Sequence, residues 1–395
     1  MTKVGPSPKL APSLRPDPPA ISPLPYLVVT HRTVGIDSNF CDIIKSVPQD
    51  SHLASDIAKL RALIDSVSLP EELEAKATSL LDRLERQAQY GQYSSEFETA
   101  QHYIDWITHL PWTEVTKDNL DLILIRQIMD KNHYGLDELK SRFLEYVSVL
   151  VLNQKNATNF HAPVLLLVGL AGTGKTTLAG SIADALNRRF VRIPFGGMSS
   201  ALDLRGQSRV HPEAEPGHII KAMRRAKSRN PVILLDEIDR VSPNAYGEIM
   251  GVLVELLDPE QNMAFTDHFL DYPFDLSQVL FICTSNNTAN ISTAVMDRLE
   301  PILMPSYSDD EKLHIARDYI LPHQLKNSSL PPHSLVIQDS VWPKIIRPMG
   351  FDAGIRSVER TIEGITRKAA RLMVEGKGTQ FTITEDNIKE FLPKY

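Results

Sequence analysis

Residues 169–176 read GLAGTGKT and follow the apolar run PVLLLV at 163–168. Gly169, Gly174, Lys175 and Thr176 satisfy the spacing G-x-x-x-x-G-K-[ST], with Leu170, Ala171, Gly172 and Thr173 filling the loop between them. Glycines let a backbone curl so that successive amides face inward, which suits the β-phosphate of a nucleotide. Lys175 is placed to reach β- and γ-oxygens and Thr176 to ligate Mg²⁺. A helix opening at the loop adds the positive end of its dipole. By average residue frequencies such a match arises by accident in about one or two chains in a hundred of this length. Here it also sits between a strand-like run and a helix-like one, as phosphate binding requires.

A second constellation is PVILLDEID at 231–239, an apolar run ending in Asp236 and Glu237. At a strand's C-terminal tip, Asp236 can hold Mg²⁺ through water and Glu237 can polarise an attacking water. Alone, such a pair is ordinarily a solvated turn. Some sixty residues beyond a phosphate loop, it reads as the hydrolysis pair. The run QVLFICTSN (278–286) ends in Asn286, an amide that could position the same water or simply cap the strand end. Arg298, in VMDRLEPI, is either a surface ion pair or a finger reaching a neighbouring subunit's phosphate, and Arg356, in AGIRSVER, carries the same ambiguity.

These residues need a frame. Strands at 163–168, 190–195, 231–239 and 278–286 alternate with helices at 175–187, 217–228 and 245–258. That alternation predicts an α/β fold, a parallel sheet sandwiched by helices. Upstream, residues from about 50 to 112 show apolar positions at helical spacing and predict a helical module or stalk. A further amphipathic helix follows from 134. Beyond about 308 the strand signals fade and a helical lid is expected.

Bulk properties narrow the class. The chain has 395 residues, 42% apolar content and a net charge of −7, so no global field draws nucleic acid or anionic lipid. The basic run KAMRRAKSRN (221–230) lacks interleaved aromatics and reads as a solvated face. No apolar run approaches the length of a membrane span. Two cysteines, Cys41 and Cys283, make a disulfide framework unexpected. The proline-rich N-terminus reads as a disordered tail of roughly 25 residues, followed by a short strand in YLVVTHRTVGI (26–36).

The order of these pieces, with NHYGLDELK (132–140), IDWITHLPW (104–112), LLDPEQNMAFTDHFLD (256–271), DLSQVLFICTSN (275–286), MDRLE (296–300) and AGIRSVER (353–360), resembles the ATPase portion of the Lon protease family. The likeness runs from roughly residue 60 to 393. It implies an AAA+ fold with a tail and strand remnant at 1–48, a stalk at 49–115, a nucleotide-binding domain at 116–307 and a lid at 308–395. It implies ATP and Mg²⁺ as ligands, with Lys175, Thr176 and Asp236 holding them and Glu237 catalytic. Asn286 matches the first sensor, Arg298 an arginine finger supplied in trans, and Arg356 a second sensor. His133, Tyr134 and Gly135 match a segment near the adenine. A homo-hexameric ring threading unfolded or misfolded polypeptide is the implied assembly, and a full-length Lon-like subunit is a further expected partner. No membrane or nucleic-acid partner is expected; the compartment expected is the cytoplasm, with a mitochondrial or peroxisomal matrix as the alternative.

Three departures temper the resemblance. The sequence stops at EFLPKY, where the family's Ser-Lys peptidase domain would begin, so this chain is not expected to cut peptides by itself. Gly5-Pro6-Ser7 lacks the surrounding peptidase pattern and is rejected as a nucleophile, and the family's large N-terminal domain is expected to be missing or reduced to fewer than about 50 residues. The substrate-gripping loop reads RVHPEAEPG, with His211, Pro212 and Glu213 where an aromatic-hydrophobic pair is expected, and SPNAYGEIMG (242–251) lacks the Gly-Asp-Pro of the second pore loop. A gripping loop needs bulk and apolar contact, and His-Pro-Glu offers less of both.

Overall fold

The computed structural model describes residues 50–88, 95–156, 164–347 and 354–393. The proline-rich tail, the YLVVTHRTVGI run, Cys41 and the Gly5-Pro6-Ser7 triplet lie outside the described residues.

Three helices come first: α1 (Asp50–Asp65), α2 (Glu71–Ala88) and α3 (Ser95–Thr108). Leu73, Ala77, Leu81 and Leu84 of α2 recur at helical spacing and are buried, as are Tyr103, Ile104 and Ile107 of α3. These residues join one continuous core with the α/β body. Tyr103 and Trp106 pack on Phe269 at centroid distances of 6.1 and 6.5 Å, and the Tyr103 hydroxyl donates to the Leu270 carbonyl at 3.2 Å.

Helix α4 (Leu122–Asn132), which the sequence reading did not single out, starts where the Asp121 carboxylate accepts the N–H groups of Ile123 and Leu124. A left-handed pair, Gly135 (φ 63°) and Leu136 (φ 57°), then turns the chain into α5 (Asp137–Asn156).

Strand β1 (Val164–Val168) leads through the glycine loop to α6 (Lys175–Leu186) and then to β2 (Phe190–Pro194). Next come α7 (His218–Ala226), β3 (Val232–Asp236) and α8 (Tyr246–Leu257). A hairpin of β4 (Phe265–Asp267) and β5 (Tyr272–Phe274) precedes β6 (Leu280–Ser285) and β7 (Leu299–Leu303). The five-stranded sheet runs β2-β3-β6-β1-β7 and is parallel throughout. Alternation places Leu165, Leu167, Leu234 and Ile282 in the core beneath α4–α6, while Leu166, Val168, Leu235 and Cys283 face the core shared with α1–α3. Both faces are covered, which is why these strands read as unbroken apolar runs.

Strand β7 escaped the sequence reading. Pro301 at its centre interrupts the pattern, yet β7 is an edge strand, where a missing N–H is tolerated.

The lid comprises α9 (Asp309–His314), a π-helical continuation (Ile315–Ile320), α10 (Leu321–Asn327), α11 (Trp342–Ile346) and α12 (Arg356–Val374), around a core holding Trp342, Ile345, Ile362 and Ile365. The sequence predicts a helical lid, and the structure adds a pair of strands to it. β8 (Leu335–Ile337) and β9 (Phe381–Ile383) form a parallel pair, each too short to show a period. Among the described residues no helix is long and apolar enough to cross a membrane.

Candidate nucleotide site

The glycine loop takes the shape its residue types allow. Gly172 (φ 86°) and Gly174 (φ 90°) occupy left-handed conformations that side chains avoid. Thr173 is buried, its hydroxyl donating to the Leu170 carbonyl at 3.0 Å. Lys175 opens α6 and folds its ammonium back on the loop, donating to Gly169 O at 2.5 Å, Leu170 O at 3.0 Å and Asn286 Oδ1 at 3.1 Å. Burial lowers the lysine's pKa, while Asp236, Asp239 and Glu237 pull it upward. Thr176, one residue on, is half-buried.

The sheet order sets the acids and the amide beside this loop, because β6 lies between β1 and β3. Asp236 ends β3 and is only 4% exposed. Its Oδ1 accepts the Thr284 hydroxyl at 2.5 Å and its Oδ2 accepts Arg192 Nε at 2.6 Å. Glu237 takes a left-handed φ of 58° that turns the chain off the strand, and its N–H donates to Thr284 Oγ1 at 2.9 Å. Thr284 therefore braces both acids. Asn286 follows β6, its backbone N–H shared between the Asp239 carboxylate oxygens at 3.3 Å. While its Oδ1 accepts from Lys175, its Nδ2 is buried without a hydrogen-bond partner. A buried orphan donor beside an ammonium asks for an anionic acceptor, and a phosphate oxygen meets that need.

Tyr307, just before the lid, and residues of the lid itself press on the loop from the other side. The Tyr307 hydroxyl donates to Thr173 O at 3.0 Å, and the Ile355 N–H donates to Gly172 O at 3.0 Å. A Cβ added to Gly172 would lie 3.3 Å from Arg356 Cγ, so Arg356, at the start of α12, stands against the loop.

A third wall comes from the 133–135 turn. His133 ends α4, and its Nε2 lies 2.9 Å from the Ser181 hydroxyl on α6. Burial drives its imidazole pKa down to about 4, so the ring is neutral. Tyr134 stacks on His314 of the lid at 5.2 Å and 15°. Lys140 ties the turn down, donating to His133 O and Asp130 Oδ1, both at 2.7 Å, while Tyr319 of the lid donates to Asp130 O at 3.0 Å.

Sequence comparison agrees with this geometry. Residues 165–307 match the family described as ATPase family associated with various cellular activities (AAA), and residues 326–388 match the Lon protease AAA+ ATPase lid domain. The Lon protease of Lawsonia intracellularis (strain PHE/MN1-00) is 44% identical over 337 residues, covering 85% of this chain and 40% of that protein. That of Bacillus thuringiensis (strain Al Hakam) is 41% identical over 340 residues, 86% of this chain and 42% of its own. That of Elusimicrobium minutum (strain Pei191) is 41% identical over 355 residues, 89% and 42%. This chain carries the AAA+ ATPase portion of the Lon protease family. It spans about 40% of the length of these relatives.

Within this Lon module the structure brings Lys175, Asp236, Glu237, Asn286 and Arg356 around one loop, with His133 and Tyr134 on the adjoining wall. It does not place Arg298 with them. Its guanidinium donates to Asp258 Oδ2 at 2.8 and 3.3 Å and to Ala294 O at 2.9 Å, so the LLDPEQN segment serves to hold it. That bond is the first cause of a lowered Asp258 pKa.

The loop carrying His211, Pro212 and Glu213 is pinched at its base. A Cβ on Gly206 would meet Gly217 N at 2.7 Å, and Asp267 of β4 accepts the Gly217 N–H at 2.8 Å. Burial lifts the Asp267 carboxyl to about 6 against the pull of three backbone N–H bonds. Arg209 lies 3.8 Å from the centroid of the Tyr103 ring, bracing the loop on α3. Three cations of the 221–230 run are paired locally, Lys221 with Glu215 and Arg224 with Asp105 on α7, and Arg229, beyond its end, with Asp275.

Sequence reasoning missed Thr284, Arg192, Tyr307, Asp258 and Ser181. Only Thr284 left a visible signal, a polar residue inside the apolar FIC-T-SN run.

Proposed function

We propose that this Lon-type module binds ATP with Mg²⁺ between the glycine loop, the 133–135 turn and the lid, hydrolyses it in a ring of identical copies, and couples turnover to polypeptide unfolding and translocation. The observation that carries the reading is the buried, unpartnered Nδ2 of Asn286 beside the Lys175 ammonium. Bound Mg²⁺ would supply positive charge against the phosphate oxygens, with Thr176 and Asp236 as its protein contacts. Lys175 exchanges its loop carbonyls for phosphate oxygens, and Asn286 donates its free amide hydrogen to the same anion. Glu237 polarises a water and takes its proton. Arg356 brings a second positive charge from the lid, and Arg298 offers its guanidinium to a neighbouring copy. We place the module boundaries at 49–115, 116–307 and 308–395, and the activity in the cytoplasm.

A second reading rests on the 206–217 loop. Its tip presents exposed His211, Pro212 and Glu213 in place of an apolar grip, and its flank is braced on α3. That arrangement favours a nucleotide-dependent assembly or regulatory subunit pairing with a full-length Lon-like chain. ATPase turnover measured across protein concentrations separates the two. The motor reading expects turnover per chain to rise as copies associate, and the regulatory reading expects nucleotide binding with negligible turnover at every concentration.

A further inference from the structure

Asp236 has no free oxygen in this structure. Thr284 serves Oδ1 at 2.5 Å and Arg192 serves Oδ2 at 2.6 Å. The two donors differ in kind. Thr284 is fully buried in β6 and also accepts the Glu237 N–H, so it is fixed. Arg192 sits on edge strand β2, in register with Leu234, two residues before Asp236 on the same face. Its side chain is 50% exposed against 6% for Asp236, so the guanidinium can swing into solvent on its long stem. A buried carboxylate needs a counter-charge, and a guanidinium on Oδ2 repels any divalent cation approaching the same oxygen.

We infer that Arg192 is a positioning residue that acts as the resident counter-cation of Asp236, holding the carboxylate in the metal-free state and yielding it to Mg²⁺ only when the phosphates arrive with the metal. The inference rests on the reading that Asp236 serves the metal. It explains why a single exposed cation is spent on this buried acid, and it makes free metal a poor ligand for the empty loop. Nothing in it requires Arg192 to touch the nucleotide.

The test uses Mn²⁺ alone as the probe, titrated into the nucleotide-free full chain at fixed ionic strength, with unbound Mn²⁺ read by electron paramagnetic resonance. Arg192→Met removes the cation. Arg192→Gln keeps an N–H donor and removes only the charge. Both variants should bind Mn²⁺ about tenfold more tightly than the parent, a gain already discounted for the exposure of the guanidinium. Adding Asp236→Asn to either variant should abolish the gain. Parental Mn²⁺ affinity in both variants overturns the proposal, and so does a Gln variant that matches the parent while Met differs, because the donor and not the charge would then be what matters. A parallel titration with fluorescent ADP in EDTA reports nucleotide binding by the parent. Its failure would remove the nucleotide reading of the loop while leaving the Mn²⁺ comparison to judge Arg192.

Discussion

Gly354 lies where the lid meets the glycine loop, and replacing it with alanine should unseat the one from the other. The added Cβ would stand 2.7 Å from Ala171 O and 2.8 Å from the Gly172 carbonyl carbon, where ordinary contact begins at 3.4 Å. Both obstacles are backbone, so relief requires the lid and loop to part by about 0.7 Å. That separation stretches the Ile355 N–H bond to Gly172 O, now 3.0 Å, past useful length and strains the Tyr307 bond to Thr173 O. One lost hydrogen bond at about 1 kcal/mol and a modest overpacking penalty at about 1 kcal/mol sum to about 2 kcal/mol against the seated lid. Because Arg356 reaches the loop only from the seated lid, nucleotide affinity should fall about 10- to 30-fold. The lid keeps its own core around Trp342, Ile362 and Ile365, so the melting midpoint should move by no more than about 3 °C. The assay is equilibrium titration with a fluorescent adenine nucleotide, with Gly251→Ala as control, since a Cβ there meets nothing within 4 Å. Parental affinity in Gly354→Ala refutes the packing of lid on loop as the source of binding strength.

Other outcomes follow from the same geometry. Arg298→Ala should leave nucleotide affinity within about twofold and lower turnover by about 10³ or more in steady-state assays. Turnover retained by that variant, or by a strictly monomeric parent, removes the shared site. Asn286→Ala deletes a buried orphan donor and one acceptor of Lys175, which keeps its two loop carbonyls, so the fold should be retained while single-turnover hydrolysis slows by about 10²-fold; an unchanged rate would reduce Asn286 to a strand cap. His133 is held neutral in the fold, with a pKa near 4 against an ordinary 6.5. Below pH 6.5 the unfolded chain takes up a proton that the folded one refuses, so the parent loses stability as pH falls, by about 2 kcal/mol at pH 5 from this group. Urea unfolding at pH 7.5 and 5.0 should show that loss shrink in His133→Gln. The raised Asp267 acts with opposite sign but is common to both proteins, and identical pH dependence in the two would contradict a buried neutral imidazole.

What the sequence reveals here depends on how far apart the cooperating residues lie. Phosphate binding constrains consecutive positions, so GLAGTGKT declares itself, and the acids of LLDEID stand at the end of an apolar run that only a buried strand explains. The bracing of those acids does not show. Arg192 and Thr284 reach Asp236 across neighbouring strands, 44 and 48 residues away in sequence. Helix α4 was hidden because its apolar run, Leu122 to Ile125, is partly exposed and lacks a clean stripe. Strand β7 was hidden by Pro301, and the lid strands by their brevity. The partnership of Arg298 with Asp258 was equally invisible, although both residues sat in recognisable segments, because pairing is a property of the fold and not of either motif.

The central claim is that loop, acids and lid form one adenine-nucleotide site per chain. Isothermal titration calorimetry of ADP with Mg²⁺ into the folded protein tests it most directly, alongside Lys175→Ala. The account predicts saturable heat with one site per chain in the parent and none in the variant. A well-folded parent that gives no heat, or a Lys175→Ala protein that binds as the parent does, would contradict it.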